Sequence, residues 1–458
     1  MHNIIVSVVF AVLLGGGLSA AVPNPVVVGP IPAPAPPGDP SHDYPFFATT
    51  VDLASHGYVE EEFFFEGTAN RYNLPELATG SVIDSGHPYR TRMVVRRPAS
   101  PQNFSGWVVM EWQNVTIGYY FDAAWESSYE NIMRRGDTWI GVSAQRVGVH
   151  QPVTGLKAWS PSRYGTLDVT QGGAILDDAL SYDIFSQASQ AVRNPAGVDP
   201  MGGLHVERVL ATGGSQSAAR LVTYHNSIHP LAGVFDAFFL VVGGRLLRTD
   251  LDVKVFKVQS ETDIAGIHAA LRQADSDHFR RWEVAGAAHV DFHLAQELAL
   301  LQARDLGIIA APSCDLPPFS RIPFRFVLAA AVGHLVDWVK YNVEPPRAPD
   351  IETLSITPTE GVVARDGFGN ALGGIRLSQH AVPTATNTGV NSGPGFCRLF
   401  GTYQPFGAAT LDALYRNHGT YVMQVTHATS ENLNVGFIVM EDAITIIRDA
   451  AQSGIGKH

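Results

Sequence analysis

HVERVLATGGSQSAARLVTY, residues 205–224, is the stretch on which the reading of this chain turns. An apolar, β-branched run ends in Gly213-Gly214, and a helix-forming run begins just past Ser215. Ser215 therefore sits at a sharp strand-to-helix turn, with Gly213 two positions before it and Ser217 two positions after. Such a turn strains its central residue and admits only small neighbours at those two places. It lifts the Ser215 hydroxyl clear of the sheet and sets a helix N-terminus beneath it, where the Gln216 N–H can meet a developing negative charge. The strict pattern has glycine at the last position. Here it is Ser217, which is also the competing nucleophile, and the two glycines directly before Ser215 favour Ser215.

A serine nucleophile needs a base and an acid, which on such a sheet follow it in the order Ser, acid, His, each just past a later strand. VKVFKVQ ends in SETD, offering Asp263 with Glu261 as runner-up, and FRRWEVA ends in GAAH, offering His289. The spacings, 263 − 215 = 48 and 289 − 263 = 26, leave room for a helix-sized crossover in each case. No metal is expected. His225 and His229 stand four apart, but HNSIH lacks the glutamate of H-E-x-x-H, and His289-Val-Asp-Phe-His293 is better explained by the catalytic histidine and the start of the helix after it.

Outward from the turn, short β-branched runs alternate with amphipathic stretches. Strands are expected at 92–97, 106–111, 138–143, 206–212, 235–242, 253–259 and 279–285, and helices at 121–135, 175–192 and 217–229. Alternation of this kind gives an α/β fold with a mainly parallel central sheet and helices on both faces. Residues 57–66, GYVEEEFFFE, read as an antiparallel lead-in strand, and the run before Pro345-Pro346 reads as a packed helix interrupted by His334, Asp337 and Lys340. Only about ten residues, 243–252, separate two of the strands, fewer than a helical crossover needs. Either the link is unusually tight or part of a cap is missing, leaving the pocket more open.

The segments GYVEEEFFFEGTANRY, VVMEWQNVTIG, GVSAQRVGV, SYDIFSQA, ATGGSQSAARLVTYHNSIHP, QSETD, WEVAGAAHVD and RDGFGNALGGIR together resemble the α/β-hydrolase superfamily, and within it a group of large, mostly exported, esterase-like proteins. The resemblance runs from about residue 45 to the C-terminus. It implies an α/β-hydrolase fold, Ser215 as nucleophile, His289 as general base, Asp263 as the acid orienting it, and hydrolysis of a carboxylic ester, but it supplies no particular substrate; a small-molecule or lipid-like ester is the expected partner, with no cofactor. Acyl transfer, amide hydrolysis or a non-catalytic binding role on the same fold are the alternatives. The second oxyanion donor is expected from the loop after strand 106–111, at Gln113 with Trp112 close behind.

Composition narrows the partners. The chain has 458 residues with 31 basic and 43 acidic side chains, a formal net charge of −12, and only five of the basic residues are lysine. No basic stripe is present, which argues against nucleic acid or anionic membrane as the main partner. Residues 4–14 form an apolar run of eleven, too short to span a bilayer, and are followed by small residues; residues 1–21 are read as a signal peptide, so a secreted or periplasmic location is expected. In an oxidising compartment the two cysteines, Cys314 and Cys397, should pair. The expected organisation is a Pro-rich arm at 22–43, a hydrolase core at 44–346 and an appendage at 347–458 packed on it, whose loop 366–376 either folds back over the catalytic face or is purely structural.

Overall fold

A computed structural model describes residues 22–309 and 311–457, so the signal-peptide reading of 1–21 lies outside the described residues. The main sheet has strands β1 (Val26–Val28), β2 (Tyr58–Asn73), β3 (Ser81–Pro98), β4 (Trp107–Trp112), β5 (Thr138–Val142), β6 (Ala196–Gly197), β7 (Arg208–Gly214), β8 (Ala237–Val241), β9 (Lys254–Ser260) and β10 (Phe279–Val284). Their spatial order is β10-β9-β8-β7-β4-β5-β3-β2-β1-β6. The six strands from β10 to β5 are mutually parallel, and β3, β2 and β1 continue the sheet antiparallel. The chain leaves β4 towards β5 on one side and β7 towards β8 on the other, which makes the β4/β7 junction a switch point, where crevices open beyond the strand ends.

Parallel strands covered on both faces must be apolar on both. In β4, WVVMEW, every residue is buried. Val108, Met110 and Trp112 join one core cluster while Trp107 and Val109 join the other. The helices that matter below are α1 (Ala123–Arg135), α2 (Ser181–Arg193), α3 (Gln216–Thr223), α4 (Glu261–Ala265), α5 (Phe292–Leu306), α6 (Phe324–Tyr341), α7 (His418–Val435) and α8 (Met440–Gln452). Helices α2 and α3 cover the first face; α1 and α6 cover the second, joined there by Val425, Phe437 and Ile446 from the appendage. The appendage thus shares the core. It is also tied to it covalently, by the disulfide between Cys314 and Cys397.

The arm at 22–43 is not a free linker, because Val26–Val28 pairs antiparallel with β2 and parallel with β6. The run of three glutamates in β2 is tolerated because arginines of β3 face it, with Glu60 on Arg96, Glu61 on Arg97 and Glu62 on Arg92. Between β8 and β9, residues 242–253 contain no helix, yet the two strands are parallel neighbours. The link is stitched down instead: Lys257 Nζ donates to the Gly244 carbonyl at 2.9 Å, Gln259 Nε2 to that of Gly243 at 2.9 Å, and Asn226 Nδ2 to that of Leu246 at 2.9 Å. Among the described residues, no helix is long and apolar enough to cross a membrane.

Candidate active site

Ser215 follows β7 directly and takes φ 58° and ψ −119°, a left-handed conformation that costs a non-glycine residue on the order of 1–3 kcal/mol. Two main-chain hydrogen bonds hold it there, Ser215 N–H to the Val241 carbonyl at 2.9 Å and Ala219 N–H to the Ser215 carbonyl at 3.1 Å. Glycines make the fit possible. A Cβ on Gly213 would lie 2.9 Å from Ser217 Cβ, and one on Gly243 would lie 2.5 Å from the Ser215 carbonyl oxygen. Ser217 is fully buried, whereas Ser215 is half-buried. The Gln216 N–H, at the first position of α3, donates to no acceptor among the described residues.

The acid and the base meet. Asp263 Oδ1 lies 2.9 Å from His289 Nδ1, and Asp263 Oδ2 accepts from Ser260 N–H at 3.1 Å and Ser260 Oγ at 2.6 Å, closing a capping box on α4. Burial opposes the charge on Asp263, but His289 beside it and the hydrogen bonds from His289 and Ser260 outweigh burial and hold the carboxyl down at about 2. Glu261, the runner-up acid, is committed elsewhere: it accepts from Gly286 N–H at 2.7 Å and from Arg365 Nη2 at 2.8 Å. The acid turn and the histidine loop are further joined by His289 N–H donating to Thr262 Oγ1 at 3.0 Å. Ser260, Thr262 and Arg365 were not singled out from sequence, although Ser-x-x-Asp before an apolar pair is a capping signal that could have marked Ser260.

In the loop after β4, Gln113 is fully buried and has its N–H 3.4 Å from the Val142 carbonyl. Its side chain donates to Asp122 Oδ1 at 2.6 Å and accepts from Ser143 Oγ at 2.8 Å. The expectation of an oxyanion donor at Gln113 therefore meets an N–H already turned to another carbonyl. Trp112 Nε1 is likewise taken, by Gln145 Oε1 at 2.9 Å. The residue of this loop that reaches the elbow is Asn114, whose Nδ2 donates to the Gly214 carbonyl at 3.0 Å.

Gly214 and His289 line one cleft of about 760 Å³, counting its open mouth, between the sheet and helices α1 and α6. His225 and His229 stack with ring centroids 6.4 Å apart; burial pushes both down to about 4, so they are neutral core side chains. Among the described residues, no group of three or more histidines, cysteines and acids is arranged to hold a metal ion. Ile375 extends the sheet beside β10, with its N–H on the Glu283 carbonyl at 2.7 Å, and Arg365 grips the acid turn.

The solved structures that this chain is similar to are distant. XC6422 from Xanthomonas campestris, an α/β serine hydrolase without a lid, is 12% identical over 53% of this chain and 97% of its own, with a TM-score of 0.29. Esterase Est22 is 11% identical over 46% of this chain and 66% of its own, at 0.28. The rice cell wall degrading esterase LipA from Xanthomonas oryzae is 11% identical over 43% of this chain and 47% of its own, at 0.24. No curated protein matches. A family description matches nearly the whole length: residues 27–448 fit the alpha/beta hydrolase domain, and the chain belongs to that family.

Proposed function

We propose that this hydrolase is a serine esterase that cleaves carboxylic esters through an acyl-enzyme, with Ser215 as nucleophile, His289 as general base and Asp263 as the group that orients it. The observation that carries this reading is the Asp263–His289 pair at 2.9 Å, at the same end of the sheet as the strained Ser215. With Nδ1 committed to Asp263, the proton on that nitrogen leaves Nε2 free to accept. Ser215 Oγ attacks the ester carbonyl carbon, its proton passes to Nε2, and the carbonyl electron pair moves onto oxygen. The Gln216 N–H meets that oxyanion, together with a second N–H from the loop that Asn114 ties to the elbow and Gln113 anchors. Collapse breaks the bond to the alcohol oxygen, which leaves with the proton from His289. Water then repeats the sequence on the acyl-enzyme, losing its proton to His289 and releasing the acid.

The cysteine pair supports a further part of the reading, that the enzyme works in an oxidising compartment outside the cytosol. The test is a fluorophosphonate probe with mass-spectrometric mapping, beside turnover of aryl esters. The adduct is expected on Ser215, and Ser215→Ala should lose both adduct and turnover. An adduct on Ser217, or turnover that survives Ser215→Ala, would overturn the assignment.

A further inference from the structure

The cleft beside His289 is built from space that packing alone did not require. At Gly213 and Gly243 an added Cβ would collide with the elbow, but at Gly214 the nearest atoms to an added Cβ are the Val241 carbonyl oxygen at 3.8 Å and Ala123 Cβ at 3.9 Å. A methyl group would fit there, and the chain leaves the room empty at the residue next to Ser215.

The opening continues along one helix. Ala123, Ser127 and Asn131 recur every four residues on α1, with Ala124, Ser128 and Ile132 beside them, and all six line the cleft. At 1.5 Å per residue, the face from Ala123 to Ile132 is about 13 Å long. On this face its first two turns carry only the small side chains Ala123, Ala124, Ser127 and Ser128, which leaves room beside the sheet, and Ile132 thickens the wall where the face ends. Opposite it are Val109 and Phe239 of the sheet, with Leu328 and Val332 one turn apart on α6. The charged and titratable members, His289, Asp291, His293 and Arg325, come from the loop after β10 and the starts of α5 and α6.

Strain marks the same wall. Val242 lines the cleft with φ 45°, a conformation a β-branched residue takes only when its surroundings force it. Its N–H donates to the Val258 carbonyl at 2.9 Å, which fixes it at the end of β8. Strain of this kind gathers where a site has to be shaped.

Building on the esterase reading above, we infer that this cleft is the acyl site, and that it takes the uncharged, medium-length hydrocarbon chain of an alkanoic acid, laid along α1 between the sheet and α6. Burying each methylene is worth a few-fold in binding, and burial that persists into the transition state raises kcat/KM.

The experiment uses the full chain and two substrate series. In the first, the alcohol is p-nitrophenol and the acyl group runs from acetyl to hexadecanoyl. In the second, the acyl group is octanoyl and the alcohol runs from methyl to octyl. Specificity is expected to rise at least about a hundredfold from acetate to octanoate or decanoate and then fall, with a much flatter response to the alcohol. Val332→Phe, which intrudes on the cleft, should lower the octanoate-to-acetate ratio at least about tenfold. If that variant does not fold, the wild-type profile carries the test by itself. Ser215-dependent turnover that is flat or falling with acyl length, or that follows only the alcohol, would overturn the acyl site and leave the esterase reading standing. Absence of Ser215-dependent turnover on every ester would overturn both.

Discussion

Asp263→Asn tests the acid at the one point where geometry gives a signed answer. The carboxylate has one oxygen on His289 Nδ1 at 2.9 Å and the other on two donors of Ser260, at 3.1 and 2.6 Å. An amide has one acceptor and one donor end. If its oxygen stays on His289, its NH₂ faces the Ser260 N–H, donor against donor. The amide therefore turns its oxygen to Ser260 and offers its NH₂ to Nδ1. Nδ1 must then accept, so the imidazole proton moves to Nε2, where it can no longer take the proton of Ser215. The expected loss in kcat is on the order of 10⁴, read with an aryl ester, while the fold and the fluorophosphonate site persist. Stability changes with a definite sign as well. The native carboxyl is held at about 2 against an ordinary 3.8, so its contribution is present above pH 3.8 and is lost as pH falls through 2. That shift corresponds to about 2 kcal/mol, which the substitution removes from the acid limb of the unfolding curve. A variant within tenfold of wild type in kcat, or acid unfolding curves that superimpose, would refute the assignment.

Replacing Cys314 and Cys397 by serine frees a separation of 83 residues, for which chain entropy gives about 4–5 kcal/mol; urea unfolding should show the loss, and an unchanged midpoint would contradict it. Activity should fall too, because the Val290 N–H beside His289 donates to the Leu399 carbonyl, two residues from Cys397. Gly243→Ala would set a methyl 2.5 Å from the Ser215 carbonyl oxygen, so kcat is expected to drop tenfold or more, on the order of a small shift at a reacting centre, while Gly454→Ala, which meets open space, serves as the control. Lys257→Met removes the donor to the Gly244 and Arg245 carbonyls and should speed hydrogen exchange in 242–253 before it does so elsewhere.

The parallel half of the sheet was legible because its strands are buried on both faces and so read as continuous apolar runs; β4, β7, β9 and β10 all fall within two residues of expectation. The site was legible for the same reason, since each of its residues ends such a run. What escaped reading depends on distant pairing. PNPVVVGP has the composition of an extended linker, and Val26–Val28 becomes a strand only because β2 offers an edge. The first half of β3, with Gly86 and Pro88, resembles a loop and is a strand by its pairing with the far end of β2, through register shifts near Arg71. Helix α7 carries several β-branched residues that blur its periodicity, although Asn417 before it, accepting from Thr420 N–H at 2.9 Å, and Gly436 after it at φ 91° are cap signals the sequence displays. At the site, position along the loop points to Gln113. A one-residue difference in how that loop turns passes the contact with the elbow to Asn114, and nothing in local spacing reports the turn.

A division at residue 346 would cut through the surroundings of the site. Four contacts run from the appendage to the two loops that carry acid and base. Arg365 holds Glu261, the Gly389 carbonyl accepts from Thr262 Oγ1, the Leu399 carbonyl accepts from Val290 N–H, and Ile375 pairs with the edge of β10. Each touches a residue within two positions of Asp263 or on the strand or loop of His289. Without the Ile375 bridge the last residues of β10, the edge strand of the sheet, would leave main-chain groups unpaired beside a loop whose aim sets catalysis. Placing Asp263 and His289 within hydrogen-bond reach is therefore work shared between core and appendage. The disulfide closes that arrangement covalently, so the stability of the appendage and the alignment of the histidine should fail together.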